Sequence, residues 1–594
     1  MKTPAWILLT SLCFVCLLSQ SLRAQEQKRP NVLFIAVDDL RPSMGCYGDQ
    51  LAITPNMDRL AEKGMLFKRA YCQVAVCNPS RASLMTGQTP DNLGVWTLPI
   101  HFREASPDAV TMPQWFRKFG YTAVSHGKIY HNPTPDPQSW SEPIRSLSSL
   151  PYPYPEGTKD EIKEAQDKLP DNDWRKKSLR PPCTAAPDLP DNKVLDGART
   201  DLAIEDLRRL GKEEEPFFLA MGYIRPHLAW VAPKKYWDMH DPATLPVLVD
   251  EKITADTPKY ALHNNSELSH YMDLIDMPKP WEPETLSPEK ARRMVHGYYA
   301  CVSYVDAQIG RLLSALEEEG LADNTIVVLW SDHGYKLGEY RGWGKMTNYE
   351  IDARVPLIIS TPAKVNDGKA VVGKQTDGLA ELLDLFPTLC DLTGIETPEF
   401  ADGKSLVPVL NDPDAQVHKG AISQYYRRLS GKQYMGYALR TPTHRFVEWR
   451  EFLTGEVTAR ELYDHRSDSG EKTNIAESAS SELIDQLTET LLETHPRQSL
   501  VMKPMIHSEL SETRSKISFL NESSSRVFVV PISSTGTRRK TRIKRLAPGK
   551  SVKISAQVGM VYVVESANGK IHEVHTLTET EQSITVTDPK VMAK

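Results

Sequence analysis

Two short clusters, Asp38-Asp39 and Asp332-His333, set three carboxylates and an imidazole where they could serve a metal ion. Oxygen donors with a single nitrogen suit a hard divalent cation, calcium before magnesium. An Asp-Asp pair on its own is more often a solvated turn or a helix cap, so its weight depends on its company. That company is Cys77-Asn78-Pro79-Ser80-Arg81, followed by Ala82-Ser83-Leu84-Met85-Thr86-Gly87. A solitary cysteine usually acts as a small buried hydrophobe. Thiolate catalysis is a poor account of Cys77, because no Cys-His arrangement accompanies it.

Both acidic clusters close an apolar run. Asn31 to Val37 (NVLFIAV) and Thr325 to Trp330 (TIVVLW) have the composition of buried strands. Helical stretches lie between them, at Met57 to Lys63 and at Thr200 to Leu210, the latter with Leu202, Ala203, Leu207 and Leu210 near helical spacing. Strands alternating with helices predict an α/β unit over 29–395 with a mainly parallel sheet. In such sheets functional groups gather past the carboxyl ends of strands, where both acidic clusters sit.

Two stretches break this rhythm. Residues 133–199 are Pro-rich and polar and read as a long surface excursion, and 232–290 form a second irregular stretch. Either one walls the site or simply covers surface. Residues 396–500 read as a smaller C-terminal unit ending in the helix-like Ser480 to Thr494. Residues 510–594 read as all-β, with ISFLN, RVFVVPI, SVKISA and GMVYVVE separated by turn signals, an appended β-sandwich.

The whole chain has 594 residues, 25% charged and 40% hydrophobic, normal for a soluble globular protein. A net charge of −6 implies no general attraction to nucleic acid or to acidic membranes. Residues 1–24 read as an export signal: Lys2, an apolar run from Ala5 to Leu18, and a small residue, Ala24, at a cleavage position. The run is short for a membrane span. The expected mature chain is exported, periplasmic or extracellular, without a membrane span. Beyond that leader, Cys46, Cys72, Cys77, Cys183, Cys301 and Cys390 are too few for a disulfide scaffold, and spacing alone pairs none of them.

The string C-x-P-S-R with T-G beyond it resembles the maturation signal of type I sulfatases, in which the cysteine is oxidised to formylglycine. The flanks extend the resemblance: Val37 to Pro42, Thr54 to Leu60, Ser331-Asp332-His333-Gly334 with Leu337-Gly338-Glu339, Arg354 to Leu357, Asp384 to Thr388 and Leu462-Tyr463-Asp464. It covers about residues 29–497 and implies an alkaline-phosphatase-like core with a large mixed, mainly parallel sheet flanked by helices, followed by a smaller α+β subdomain. V-D-D-L-R-P-S-M-G-C-Y-G-D at 37–49, His333, Gly127-Lys128-Ile129-Tyr130-His131 and Arg225-Pro226-His227 look like the iduronate-2-sulfatase branch.

The resemblance implies a mechanism. Asp38, Asp39, Asp332 and His333 would hold one calcium ion, which polarises a sulfate oxygen and the nucleophile. One hydroxyl of the hydrated formylglycine at 77 would attack sulfur, and the other would lose its proton to expel sulfate. Arg81 would support the formylglycine and the metal shell. Lys128 and Lys345 would clamp sulfate as point charges. His131 would take the hydroxyl proton, and His227, with Lys345, would protonate or stabilise the leaving oxygen. The implied partners are a sulfated oligo- or polysaccharide and, during maturation, a formylglycine-generating enzyme. A 2-O-sulfated uronate is the leading substrate. Sulfated polysaccharides of algal or marine type, phosphodiesters or phosphonate monoesters, and glycan binding without turnover are the alternatives.

Two departures stand out. Where the family often reads G-E-H, this chain has Gly338-Glu339-Tyr340-Arg341, and 133–199 has no segment that matches the human lysosomal enzyme of that branch. The tail resembles the β domain of the von Hippel-Lindau tumour suppressor at Ile517 to Asn521, Val527 to Val529, Leu546 to Gly549, Gly559 and Val563-Val564. Its basic run from Arg538 to Arg545 reads as a solvated face before a polysaccharide contact.

Overall fold

The computed structural model describes residues 29–132, 135–147, 149–249, 251, 256–497, 513–531, 544–566, 571–578 and 580–587. The expected leader, 1–24, and most of the basic run of the tail lie outside them. Among the described residues no helix is long and apolar enough to cross a membrane.

Eight strands form the central sheet: β1 (Asn31–Val37), β2 (Met65–Tyr71), β3 (Thr122–Gly127), β4 (Phe217–Tyr223), β5 (Thr325–Ser331), β6 (Arg354–Val355), β7 (Leu357–Ser360) and β8 (Lys374–Glu381). Their order is β6-β2-β7-β5-β1-β4-β3, with β8 on β2. The run β3-β4-β1-β5 is parallel throughout, and β7 is antiparallel to β5 and β2. The sheet is therefore mixed, with its parallel half carrying both acidic clusters.

Alternate side chains of each strand go to opposite faces. Leu33, Ile35, Leu219, Met221, Val327 and Leu329 pack against α2 (Leu195–Leu210) and α3 (Pro288–Glu318). Val32, Phe34, Phe218, Ala220, Val328 and Trp330 pack against α1 (Cys77–Thr86) and α4 (Leu385–Thr393). Burial on both faces is why β1 and β5 read as continuous apolar runs rather than alternating ones.

The helix expected from Thr200 starts earlier, at Leu195. Gly197, a poor helix former, sits in its first turn because a Cβ there would lie 2.1 Å from the Asp191 carbonyl oxygen. The excursion at 133–199 also holds structure: a helix at Thr158–Lys168 and a short buried strand, Thr184–Ala185, parallel to Trp230–Val231.

Beyond the sheet, β9 (Ala421–Leu429), β10 (Lys432–Arg440), β11 (His444–Glu451) and β12 (Val457–Asp464) form an antiparallel meander. It shares an apolar cluster with α5 (Ser481–Leu492) through Met435, Phe446, Leu462, Leu487 and Leu491. The tail folds as a three-stranded and a four-stranded sheet. Ile517, Phe519 and Val586 of the first meet Val527, Val529, Tyr562 and Val564 of the second, the inner faces of a sandwich.

Candidate active site

Register builds the site. Val37 of β1 lies beside Tyr223 of β4 and Ser331 of β5, and Gly127 of β3 lies beside Gly222. Asp38, Asp332 and Lys128, each the next residue of its strand, therefore emerge along one edge. Asp39 turns back with φ +63°, a left-handed conformation that aspartate tolerates better than most residues. Two hydrogen bonds hold it there: its N–H donates to Asp332 Oδ1 at 3.2 Å, and its carbonyl accepts from the Tyr298 hydroxyl on α3 at 2.8 Å.

The Cys77 string becomes α1, and its spacing has a reason at each position. Cys77 opens the helix and Arg81 follows four residues later, on the same face. Pro79 sits in the first turn, where its missing N–H costs nothing. Ser80 Oγ donates to the Asp332 carbonyl at 2.6 Å. Gly87, at φ +67°, ends the helix in the left-handed region.

The fold supplies the Cys-His contact that the sequence did not reveal, between Cys77 and His333, so the case against a thiolate rests on the surroundings of the sulfur instead. Around the thiol the charges alternate in sign. Cys77 Sγ lies 3.3 Å from His333 Nε2 and 3.5 Å from both Asp38 Oδ1 and Lys128 Nζ. Arg81 bridges the two acidic clusters, with Nε donating to Asp332 Oδ2 at 2.8 Å and Nη2 to Asp38 Oδ1 at 3.1 Å. Its Nη1 donates to the carbonyls of Lys128 and Ile129. Lys128 Nζ pairs with Asp38 Oδ2, and Lys345 Nζ pairs with Asp39 Oδ1 at 2.7 Å. Three buried carboxylates thus meet three buried cations, which is what makes their burial tolerable.

One donor atom each of Asp38, Asp39, Cys77 and His333 fit within 4.8 Å of one another, a cluster able to hold a metal ion. Asp332 borders it at 3.4 Å from His333 Nε2, with its carboxylate already bonded by Arg81 and by the Asp39 amide. Burial pushes the His333 imidazole down to about 4, so it is neutral and able to act as a ligand at neutral pH. Burial opposes ionisation of Asp38, yet Lys128 and the other cations hold it well below the usual carboxylate range. A divalent cation fits this donor set.

Burial, and the Asp38 charge beside it, push the Cys77 thiol well above its ordinary range. It is therefore no thiolate, and a nucleophile at this position needs another chemical form.

The family model described as Sulfatase matches residues 30–395, and the one described as N-sulphoglucosamine sulphohydrolase, C-terminal, matches 338–497. The chain belongs to the sulfatase family. It is a sulfuric ester hydrolase. Iduronate 2-sulfatase of Homo sapiens is 32% identical over 535 residues, covering 79% of this chain and 95% of that protein. A sulfatase of Formosa agariphila is 30% identical over 496 residues, covering 80% and 89%. Among solved structures, a phosphonate monoester hydrolase from Silicibacter pomeroyi superposes with a TM-score of 0.60 at 23% identity, covering 82% of this chain and 98% of that one, a likeness of fold alone.

In this sulfatase the structure brings together Asp38, Asp39, Asp332, His333, Cys77, Arg81, Lys128 and Lys345. His131 follows Lys128 closely, and burial together with the Lys128 charge pushes its imidazole down to about 3. His227, just past β4, is close enough to feel the charges of Lys345, Lys128 and Asp38. Its direct ionic neighbour is Glu267, with Nε2 3.3 Å from Glu267 Oε1. Glu267 also lies 3.5 Å from Lys345 Nζ. Sequence reasoning missed Glu267: it sits in the irregular stretch 232–290, with no strand end or motif to mark it, and only the fold carries it to the site.

Tyr340, at the departure from G-E-H, turns away from the site. It stacks on Tyr349 at 4.7 Å and donates to the Gly470 carbonyl. Among the described residues, Glu350, His465 and Glu471 form another cluster of metal-ligating types, but Arg445 already bonds both of its carboxylates. It joins the meander to the sheet. The six cysteines among the described residues are all free.

Proposed function

We propose that this sulfatase removes sulfate from a sulfated glycan, with a 2-O-sulfated uronate as the leading substrate, through a hydrated formylglycine made from Cys77. The observation that carries this reading is the position of Cys77 Sγ, within 3.5 Å of Asp38, His333 and Lys128 at the head of a buried helix. Its similarity to iduronate 2-sulfatase supports the substrate class.

Asp38, Asp39, Asp332 and His333 would hold a calcium ion, their oxygen-rich set suiting a hard cation. When bound, that ion supplies Lewis-acid polarisation of sulfate and nucleophile. The remaining steps belong to the side chains. Lys128 and Lys345 receive the sulfate oxygens as point charges. Arg81 fixes Asp38 and Asp332 and so the floor beneath residue 77. His131 accepts the proton released at residue 77, which its low basicity allows only transiently. His227 lies on the open side, where the sugar leaves. Conversion of Cys77 would require a formylglycine-generating enzyme, and the expected leader at 1–24 would direct export.

Sulfate release from defined disaccharides tests this, using protein whose Cys77 conversion is verified by peptide mass. Release confined to 2-O-sulfated uronates is expected. Release only from 6-O-sulfated hexosamines or other sulfated polysaccharides would move the substrate, and no release from any sulfate ester would overturn the proposal.

A further inference from the structure

His227 Nδ1 lies 2.7 Å from the Leu228 carbonyl oxygen. A carbonyl only accepts, so Nδ1 carries a hydrogen. That leaves Nε2 facing the Glu267 carboxylate at 3.3 Å. Were Nε2 bare, a lone pair would meet an anion; with a second ring proton, the contact is attractive. The other carboxylate oxygen, Oε2, lies 3.5 Å from Lys345 Nζ, which is held in turn by Asp39. One side chain therefore spans His227 and Lys345, the two residues that the resemblance sets at the leaving oxygen.

Depth gives the pair a direction. The side chains of His227 and Glu267 are 17% and 21% exposed, whereas Cys77 is 1% exposed. The nucleophile lies at the floor and this pair at the mouth. In-line displacement at sulfur puts the leaving oxygen opposite the nucleophile, on the side of His227.

We propose that Glu267 is a positioning residue that keeps a proton on His227 Nε2 for delivery to the leaving sugar oxygen. The proposal rests on the sulfatase reading of the site and deepens it. As the oxygen at residue 77 bonds to sulfur, the bond from sulfur to the sugar oxygen breaks and its electron pair stays on that oxygen. The Nε2 proton passes to the same oxygen. His227 is left neutral, with Nδ1–H still on Leu228, and regains its proton from solvent at the exposed edge.

The charged groups facing His227 are Lys345, Lys128, Asp38 and Glu267. The two lysines and burial disfavour the imidazolium and push His227 down to about 3. A sulfate ester seated on those lysines offsets their charge, and Glu267 is the counter-charge that persists on the mouth side. Its carboxylate stays ionised, since burial is outweighed by Lys345 and His227, which hold it at about 2.

The experiment compares wild type with Glu267→Gln, close in shape but neutral, on a sugar sulfate and on nitrophenyl sulfate, whose leaving group departs without a proton. Losing an assisted proton transfer should lower kcat on the sugar ester by about 30-fold or more, with KM little changed and the aryl ester within about threefold of wild type. On the sugar ester the basic limb of the pH profile should move to lower pH, because removing the counter-charge makes His227 lose its proton sooner. Equal loss on both esters, or no loss on the sugar ester and an unmoved basic limb, would overturn the proposal. No sulfate release by the wild-type chain from either ester would overturn the reading of the site itself.

Discussion

Val37 and Ser331 lie side by side on the last rung of the β1–β5 ladder, so Asp38 and Asp332 leave the sheet together. The Ser331 hydroxyl secures the turn-off: it accepts from the Leu40 N–H at 3.1 Å and donates to the His333 carbonyl at 2.9 Å. A register slip of one residue would part Asp38 from Asp332 and send every side chain of the shifted strand to the opposite face. The acidic edge is thus a property of strand pairing before it is a property of the side chains.

Cys77→Ala tests the nucleophile. The change removes one sulfur atom from a buried helix start and leaves the Arg81 pairs intact. Sulfate release should fall at least about 10³-fold, while the thermal midpoint shifts by no more than a small core truncation would produce, about 1 kcal/mol. Activity near wild type would remove Cys77 from the mechanism.

Metal dependence has an equally plain readout. Three carboxylates neutralised only by Arg81, Lys128 and Lys345 leave those lysines committed to aspartate rather than to substrate. Exhaustive chelation should abolish sulfate release, and added calcium should restore it and raise the thermal midpoint by linkage. Activity that survives chelation would count against a metal site here.

Gly222→Ala probes the support of Lys128. A Cβ at 222 would stand 2.2 Å from the Lys128 carbonyl oxygen and 2.7 Å from its nitrogen, both backbone atoms that cannot swing aside. The variant should lose about 1–3 kcal/mol of stability in urea unfolding. It should lose activity about 10²-fold, because a displacement near 1 Å is enough to spoil alignment. Unchanged kinetics would mean that Lys128 tolerates displacement and does not touch the reacting sulfate.

Much of this site was legible in the sequence because its residues abut strong local signals. β1 occupies Asn31–Val37 as its apolar run predicts, and β5 adds only Ser331 to the expected Thr325 to Trp330. The Cys77 string is contiguous, so its residues arrive as a set. Glu267 has no such neighbour: a carboxylate in an irregular stretch is indistinguishable from surface until the chain folds. α3 was not marked out in the sequence either, although Ser287 caps it and Pro288 begins it. Its Tyr298 bonds Asp39 across a separation of 259 residues, which no local pattern encodes. The meander of β9 to β12 left only a weakening of the α/β rhythm, because its strands pair with one another rather than alternate with helices.

The seclusion of Cys77, at 1% exposure beneath strand ends and paired ions, also sets a schedule. Once β1, β5 and α1 have closed around it, no modifying protein can bring its own active centre to that sulfur. Any chemical change at residue 77 has to be finished while the segment is still nascent, extended chain. On the proposed formylglycine route, a molecule that folds first would be stranded, complete in shape and without its reactive group, and the yield of working protein would be set by a race during biosynthesis rather than by the stability of the finished fold.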